Sequence, residues 1–182
     1  MLYSKTHQLK KGGETIELRS AGAADAEAMI ELLNKVDRQT KYLSREPGEF
    51  TASIEEEANW LKNAESDETS LQLIAFHQGE AVGCCGISPI AAKRRFVHRA
   101  VLGMMVEQGF QGRGLGRLML ETSIGLCKQA GFEQLELEVV AQNLRAIALY
   151  SSLGFEVVGR MPNALKYADG SRAAVYDMVK PL

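Results

Sequence analysis

The chain has no long apolar run, no paired cysteine motif and no excess of charge of either sign, and each absence removes a class of function. Lysine and arginine number 21 against 23 aspartates and glutamates, a formal net charge of −2. Sequence-independent nucleic-acid binding needs a surplus of basic groups to neutralise phosphates, so no nucleic-acid partner is expected. Cys84, Cys85 and Cys127 are the only cysteines; none stands in a CxxC pair, and with three histidines no metal-ligand spacing arises. They read as small buried hydrophobes of a reducing compartment, and no metal is expected. The opening MLYSKTHQLKKGGE lacks the apolar core of a signal peptide. The longest apolar stretch, AVGCCGISPIAA, is too short and too broken by Gly and Pro to span a bilayer. The expectation is a soluble, cytoplasmic protein with no membrane partner.

What is present is an ordinary globular pattern. The length, 182 residues, suits one domain over residues 1–182. After a polar lead-in, TIELRS alternates as a strand does, and Ala23, Ala26, Ile30, Leu33 and Val36 follow near helical spacing. Pro47-Gly48 marks a loop; Ser53 with Glu56 three residues on is a capping box opening a second helix. SLQLIAFHQGEAVGCCGISPI reads as a hairpin turning at Gln78-Gly79-Glu80, and FVHRAVLGMMV as a further strand. LGRLMLETSIGLCKQAG is a helix closed by Gly131, QLELEVV a strand, and LRAIALYSSLG a helix capped by Asn143 and closed by Gly154. Two last strands flank Asp169-Gly170. The order β-α-α-β-β-β-α-β-α-β-β predicts one α/β domain with a mixed sheet.

VEQGFQGRGLGRLML, residues 106–120, holds four glycines within eight positions where a strand hands over to a helix. A Walker loop would end in Gly-Lys-Ser/Thr, but Gly116 is followed by Arg117 and Leu118. The dinucleotide fingerprint GxGxxG would place its third glycine at 117, which is Arg, although Glu136 lies at a suitable distance downstream. What remains is Gln111-Gly112-Arg113-Gly114-Leu115-Gly116. Alternate glycines permit positive φ and let consecutive N–H groups converge on an anion. The following helix adds its free amides and dipole, and Arg113 and Arg117 can add charge. A glycine-rich turn that binds nothing is the plainer reading of the same residues.

The segment from Val106 to Gly116 resembles the acetyl-coenzyme A loop of the GNAT N-acetyltransferase superfamily, Gln/Arg-x-x-Gly-x-Gly/Ala. LELEVVAQNLRAIALYSSLGF is similar to its second signature: strand, Asn cap, helix, Tyr, Leu-Gly-Phe. The resemblance implies a mostly antiparallel sheet flanked by helices and splayed between the fourth and fifth strands. It implies acetyl-CoA as co-substrate. The backbone of Met104, Met105 and Val106 would meet the pantetheine arm. Gln111, Gly112, Arg113, Gly114, Leu115, Gly116 and Arg117 would meet the pyrophosphate, and Asn143 would contact the cofactor while capping. Tyr150 matches the family tyrosine that protonates the thiolate; packing alone is its alternative.

Glu136 and Glu138 alternate with apolar neighbours, so both point to one face of their strand. Glu138 matches the base of ribosomal-protein N-terminal acetyltransferases, against the plainer reading of a solvated strand end. His98 is the rival base, placed on one strand face with Ala100, where histone-acetylating members carry a glutamate. Residues 42–68 contain eight acidic residues against Arg45 and Lys62, an acidic rim that would attract a cationic amine. KYLSREPGEF also loosely resembles the corresponding loop of spermidine acetyltransferases, and Tyr42, Glu46 and Glu49 are the acceptor-site candidates. The implied activity is acetyl transfer to a primary amine of a small molecule. A protein or peptide N-terminal acetyltransferase is the alternative, and a non-catalytic acyl-CoA-binding module the third reading. Many members of the superfamily pair, so a homodimer is admitted without a surface to assign it to.

Overall fold

The computed structural model describes the whole chain, Met1–Leu182. Thr15–Ser20 (β2) buries Ile16 and Leu18 completely and leaves Thr15 and Glu17 exposed, the period of a strand covered on one face. The polar lead-in is itself a strand. Ser4–Gln8 (β1) pairs antiparallel with β2, Lys5 opposite Leu18 and His7 opposite Ile16. It is almost wholly exposed, so it carries no apolar alternation and is held by its ladder with β2. The expected fourth and fifth strands are therefore the fifth and sixth.

A short turn at Ala23–Asp25 leads into Ala26–Asp37 (α1), which buries Ala26, Met29, Leu32, Leu33 and Val36. Ile54–Ser66 (α2) opens with the expected capping box: Ser53 Oγ accepts from the Glu56 N–H, and the Glu56 carboxylate accepts from the Ser53 N–H. Leu71–His77 (β3) and Glu80–Pro89 (β4) join through Gln78 and Gly79, both at positive φ. That turn geometry matches the twist of the flanking strands.

Arg99–Val106 (β5) is shorter than expected. Phe96, Val97 and His98 lie in a turn, closed by bonds from Phe96 N–H to Lys93 and from Arg99 N–H to Phe96. The His98 carbonyl accepts from Glu133 and Gln134, so His98 anchors the start of another strand and shares no strand face with Ala100. The remaining elements are Leu115–Gln129 (α3), Gln134–Val140 (β6), Leu144–Ser152 (α4), Glu156–Lys166 (β7) and Arg172–Pro181 (β8). Gly131 and Gly154, at φ 82° and 87°, close α3 and α4 as expected.

The strands form one sheet in the order β1-β2-β3-β4-β5-β6-β8-β7. All neighbours are antiparallel except β5 and β6. That parallel pair lasts only from Arg99 opposite Gln134 to Val101 opposite Glu136. Beyond it β5 runs to Val106 paired with β4 alone, and β6 to Val140 paired with β8 alone. The mixed, mostly antiparallel sheet and its splay are thus as the sequence implied.

Each face of the sheet carries its own helices. One cluster joins α1 and Leu61 of α2 to Ile74, Phe76 and Cys84. A larger one joins Leu115, Met119, Leu120 and Cys127 of α3 and Tyr150 of α4 to Leu73, Cys85, Leu102, Leu135, Leu137 and Val139. All three cysteines are buried, and burial pushes each thiol up to about 12, which keeps them unreactive. Leu120 is wholly enclosed between α3 and the sheet. Leu120→Ala is expected to cost about 3 kcal/mol, read as a lower urea midpoint at unchanged slope. A loss below about 1 kcal/mol would show that α3 is not fixed by this packing.

Candidate active site

The glycine stretch bridges β5 and α3. Gly112 and Gly114 have φ of 76° and 104°, and Gly114 caps α3 in the left-handed region that a Cβ disfavours. None of the backbone N–H groups from Gly112 to Arg117 is spent on a loop or turn bond; the first that is, Leu118, donates to Gly114 O at 3.0 Å. Six successive free donors at the positive end of a 15-residue helix form a cradle for oxyanions. Gly116 answers a different need. A Cβ there would stand 3.3 Å from Leu149 Cδ2 and 3.7 Å from Met104 Cε, so its absence lets α3 start against α4 and β5.

Gln111 braces the loop on two sides. Its Nε2 donates to Val106 O at 3.0 Å and its Oε1 accepts from Arg145 Nη1 at 2.9 Å. The two arginines expected at the anion point elsewhere. Arg113 donates to Glu14 and lies over the Phe110 ring, while Arg117 donates to Ser152 Oγ at 2.7 Å and Glu121 at 3.4 Å. Arg145, which the sequence reading passed over, is the cation set against the loop, with Nη2 3.8 Å from where a Gly112 Cβ would be. Its only signal was its place in the first turn after the Asn143 cap. Leu115 is fully buried, so its side chain belongs to the core and not to the cradle.

Past Val101, β5 has no partner on its β6 side, and Met104, Met105 and Val106 form that free edge. Met104 packs toward α3 and α4, Met105 toward α1. Asn143 caps α4 as expected, its Oδ1 accepting from Ala146 N–H at 3.2 Å. Two turns on, Tyr150 is 7% exposed, its ring 5.8 Å from that of Phe155. Burial, and then the neighbouring Cys85, raise its hydroxyl above its ordinary value, so it stays protonated throughout the neutral range.

Leu135, Leu137 and Val139 face the α3 side, so Glu136 and Glu138 face the α1 side. Glu136 is engaged by Arg99 and by Gln134 Nε2 at 2.7 Å. The Arg99 bond chiefly holds its carboxyl below the usual carboxylate value. Glu138 is exposed, directly opposite Asp177 of β8. Glu138 and Tyr150 therefore stand on opposite faces of the sheet, while His98 lies at the joined end of the β5–β6 pair, away from the opening.

The segment after α1 crosses that opening. Gln39 Oε1 accepts from Gln108 N–H at 2.8 Å on the β5 side. Glu46 Oε1 accepts from Ala168 N–H at 3.0 Å on the β7–β8 hairpin. Between them Arg45 pairs with Asp37, whose side chain is wholly buried. The segment and the hairpin enclose a cavity of about 480 Å³, with Glu46 and Glu49 in its lining. Tyr42 packs beside it against Val140 and Val175. Glu49 Oε2 accepts from the Glu46 N–H, so both acidic candidates have an oxygen committed to backbone.

The split sheet with its flanking helices has counterparts among known proteins. The family model described as acetyltransferase (GNAT) family matches residues 30–155. The chain belongs to the GNAT acetyltransferase family. Within it, the chain is similar to the ribosomal protein bS18 alanine N-acetyltransferase of Salmonella typhimurium strain LT2, 41% identical over 75 residues. That match covers 41% of this chain and 51% of that protein, about half its length. Among solved structures it resembles a GNAT acetyltransferase from Streptococcus pneumoniae (TM-score 0.88, 27% identity, 92% of this chain and 99% of that one). It also resembles a ribosomal-protein-alanine N-acetyltransferase from Brucella melitensis (TM-score 0.80, 27% identity, 91% and 99%).

The Arg99–Glu136 pair gives this region a pH signature. A carboxyl held below 4.5 when folded adds stability that is full above that value and is lost as pH falls through the lower folded value. Urea unfolding between pH 3 and pH 6 should show this loss, and Glu136→Gln should flatten it. An unchanged acid limb in the variant would mean that the pair contributes nothing.

Proposed function

We propose that this protein is an acetyl-CoA-dependent N-acetyltransferase that acts on a primary amine of a small molecule. The observation that carries this reading is the run of unspent amides from Gly112 to Arg117 beside the free edge of β5. Bound there, acetyl-CoA supplies an activated acyl thioester. Gly112, Arg113, Gly114, Leu115, Gly116 and Arg117 hold its pyrophosphate through backbone N–H groups, with Arg145 supplying charge alongside and Gln111 fixing the loop. The backbone of Met104, Met105 and Val106 aligns the pantetheine arm, and Asn143 orients the start of α4 toward it.

The two faces of the split divide the proton work. The amine arrives from the α1 side, where Glu138, exposed beside Asp177, accepts a proton directly or through water. Tyr150 meets the departing sulfur from the α3 side; burial keeps its proton in place until negative charge develops there. Tyr42, Glu46 and Glu49 shape the acceptor side. The similarity to a ribosomal-protein alanine N-acetyltransferase supports a second reading, in which the acceptor is a peptide N-terminus entering the same cavity.

Isothermal titration with acetyl-CoA, dephospho-CoA and NAD tests the donor half, with micromolar acetyl-CoA binding and none for NAD expected. Absence of binding to acetyl-CoA or any longer acyl-CoA would overturn the assignment. Tyr150→Phe should lower kcat about 100-fold at unchanged acetyl-CoA affinity. Unchanged turnover would return Tyr150 to packing against Phe155.

A further inference from the structure

The cavity beneath residues 38–50 presents more positive charge than its carboxylates use. Its one internal ion pair is Arg45 with Asp37. Glu46 and Glu49 are turned onto the N–H groups of Ala168 and Glu46. Arg38, Lys41 and Lys166 line the same space, and none of them forms an ion pair. The Lys41 ammonium stands 5.8 Å from the centre of the Tyr167 ring, with Asp169 close enough to feel its charge. Tyr167 also lines the cavity, and its hydroxyl is sealed from solvent with no hydrogen-bond partner. Buried hydroxyls are almost always paired.

We infer that the acceptor is an amine that also carries a small oxyanion, a carboxylate or a phosphate, held by Arg38, Lys41 and Lys166. The inference rests on the acetyltransferase reading and narrows its acceptor. Three unpaired cations disfavour a polyamine, which the acidic segment had suggested from sequence alone. Position agrees with the charge. Val140, packed with Tyr167, is two residues beyond Glu138 on the same face of β6, about 7 Å along the strand. The anionic end thus lies under the 38–50 segment while the amine end lies toward Glu138 and the split. The transfer itself balances simply: the amine nitrogen bonds the acetyl carbon as the C–S bond breaks. One amine proton leaves toward Glu138, and the sulfur receives one from Tyr150.

Thiol release from acetyl-CoA, followed over matched amines, tests this. Glycine, β-alanine and γ-aminobutyrate would be compared with their amides, phosphoethanolamine with ethanolamine, and spermidine and an alanine-initiated peptide amide run beside them. At least one acid should exceed its uncharged counterpart tenfold or more in kcat/KM, and preference between the carboxylates and phosphoethanolamine identifies which oxyanion is held. Lys41→Met and Lys166→Met, both at exposed positions, should each raise KM for that acid about tenfold. KM for acetyl-CoA and for the matched amide should not move, a split that general loosening would not produce. Titration with the N-acetylated product in the presence of CoA should show the acid binding and its amide not binding. Equal or better use of amides, spermidine or the peptide amide overturns the inference. So does failure of every acid to react or bind while acetyl-CoA binds. Loss of acetyl-CoA binding itself would overturn the acetyltransferase reading, and this inference with it.

Discussion

The separation of β5 from β6 after three residue pairs is the constraint on which the rest of the molecule depends. Two strands that run parallel and then part leave β5 from Leu102 to Val106 with backbone groups unmet on one side. In a closed sheet those groups would bond to the neighbouring strand; here they face a gap. The helix that follows β5 starts at that gap, so its free amides gather beside the free edge. Strand edge and helix terminus are both products of ordinary backbone geometry, and their adjacency sets a run of free amides beside the free edge, with Arg145 against the loop.

The charged groups around the cradle mostly hold the scaffold. Arg113 ties the loop to Glu14 near β2, Arg117 ties α3 to α4, and Arg99 engages Glu136 across the joined part of the strands. Each such bond spends a charge on position, which sharpens the contrast with the groups left over. Glu138 and the three cations of the cavity are exposed groups without such partners, and they lie on the face away from α3 and α4. The unspent charges around the opening underlie both the proposed chemistry and the proposed acceptor.

Much of this was readable in sequence where the signal was local. Gly112 and Gly114 advertise a backbone that must turn left-handed. Ser53 with Glu56 marks a helix start, and the Leu135–Val139 alternation sets Glu136 and Glu138 on one face. β1 was not readable, because a strand exposed on nearly every residue leaves no apolar period. The true start of β5 was hidden because FVH continues the strand's composition while its backbone closes a turn. Arg145 and the brace through Gln111 join residues 34 apart, a pairing that only the packed helices create. The balance of charge in the cavity was not readable for the same reason: counting acids along residues 42–68 leaves out Lys166 and the backbone amides that donate to Glu46 and Glu49.

The segment from Arg38 to Phe50 is fastened at both ends of its crossing, to Gln108 just past β5 and to Ala168 beyond β7. Those anchors belong to the two halves of a sheet that has come apart between them. In mechanical terms the segment is a tie across an open span, joined to each bank by one side-chain bond. The two halves are therefore linked across the opening by residues of neither strand, in a loop held in shape by one buried aspartate, Asp37, and the arginine it holds.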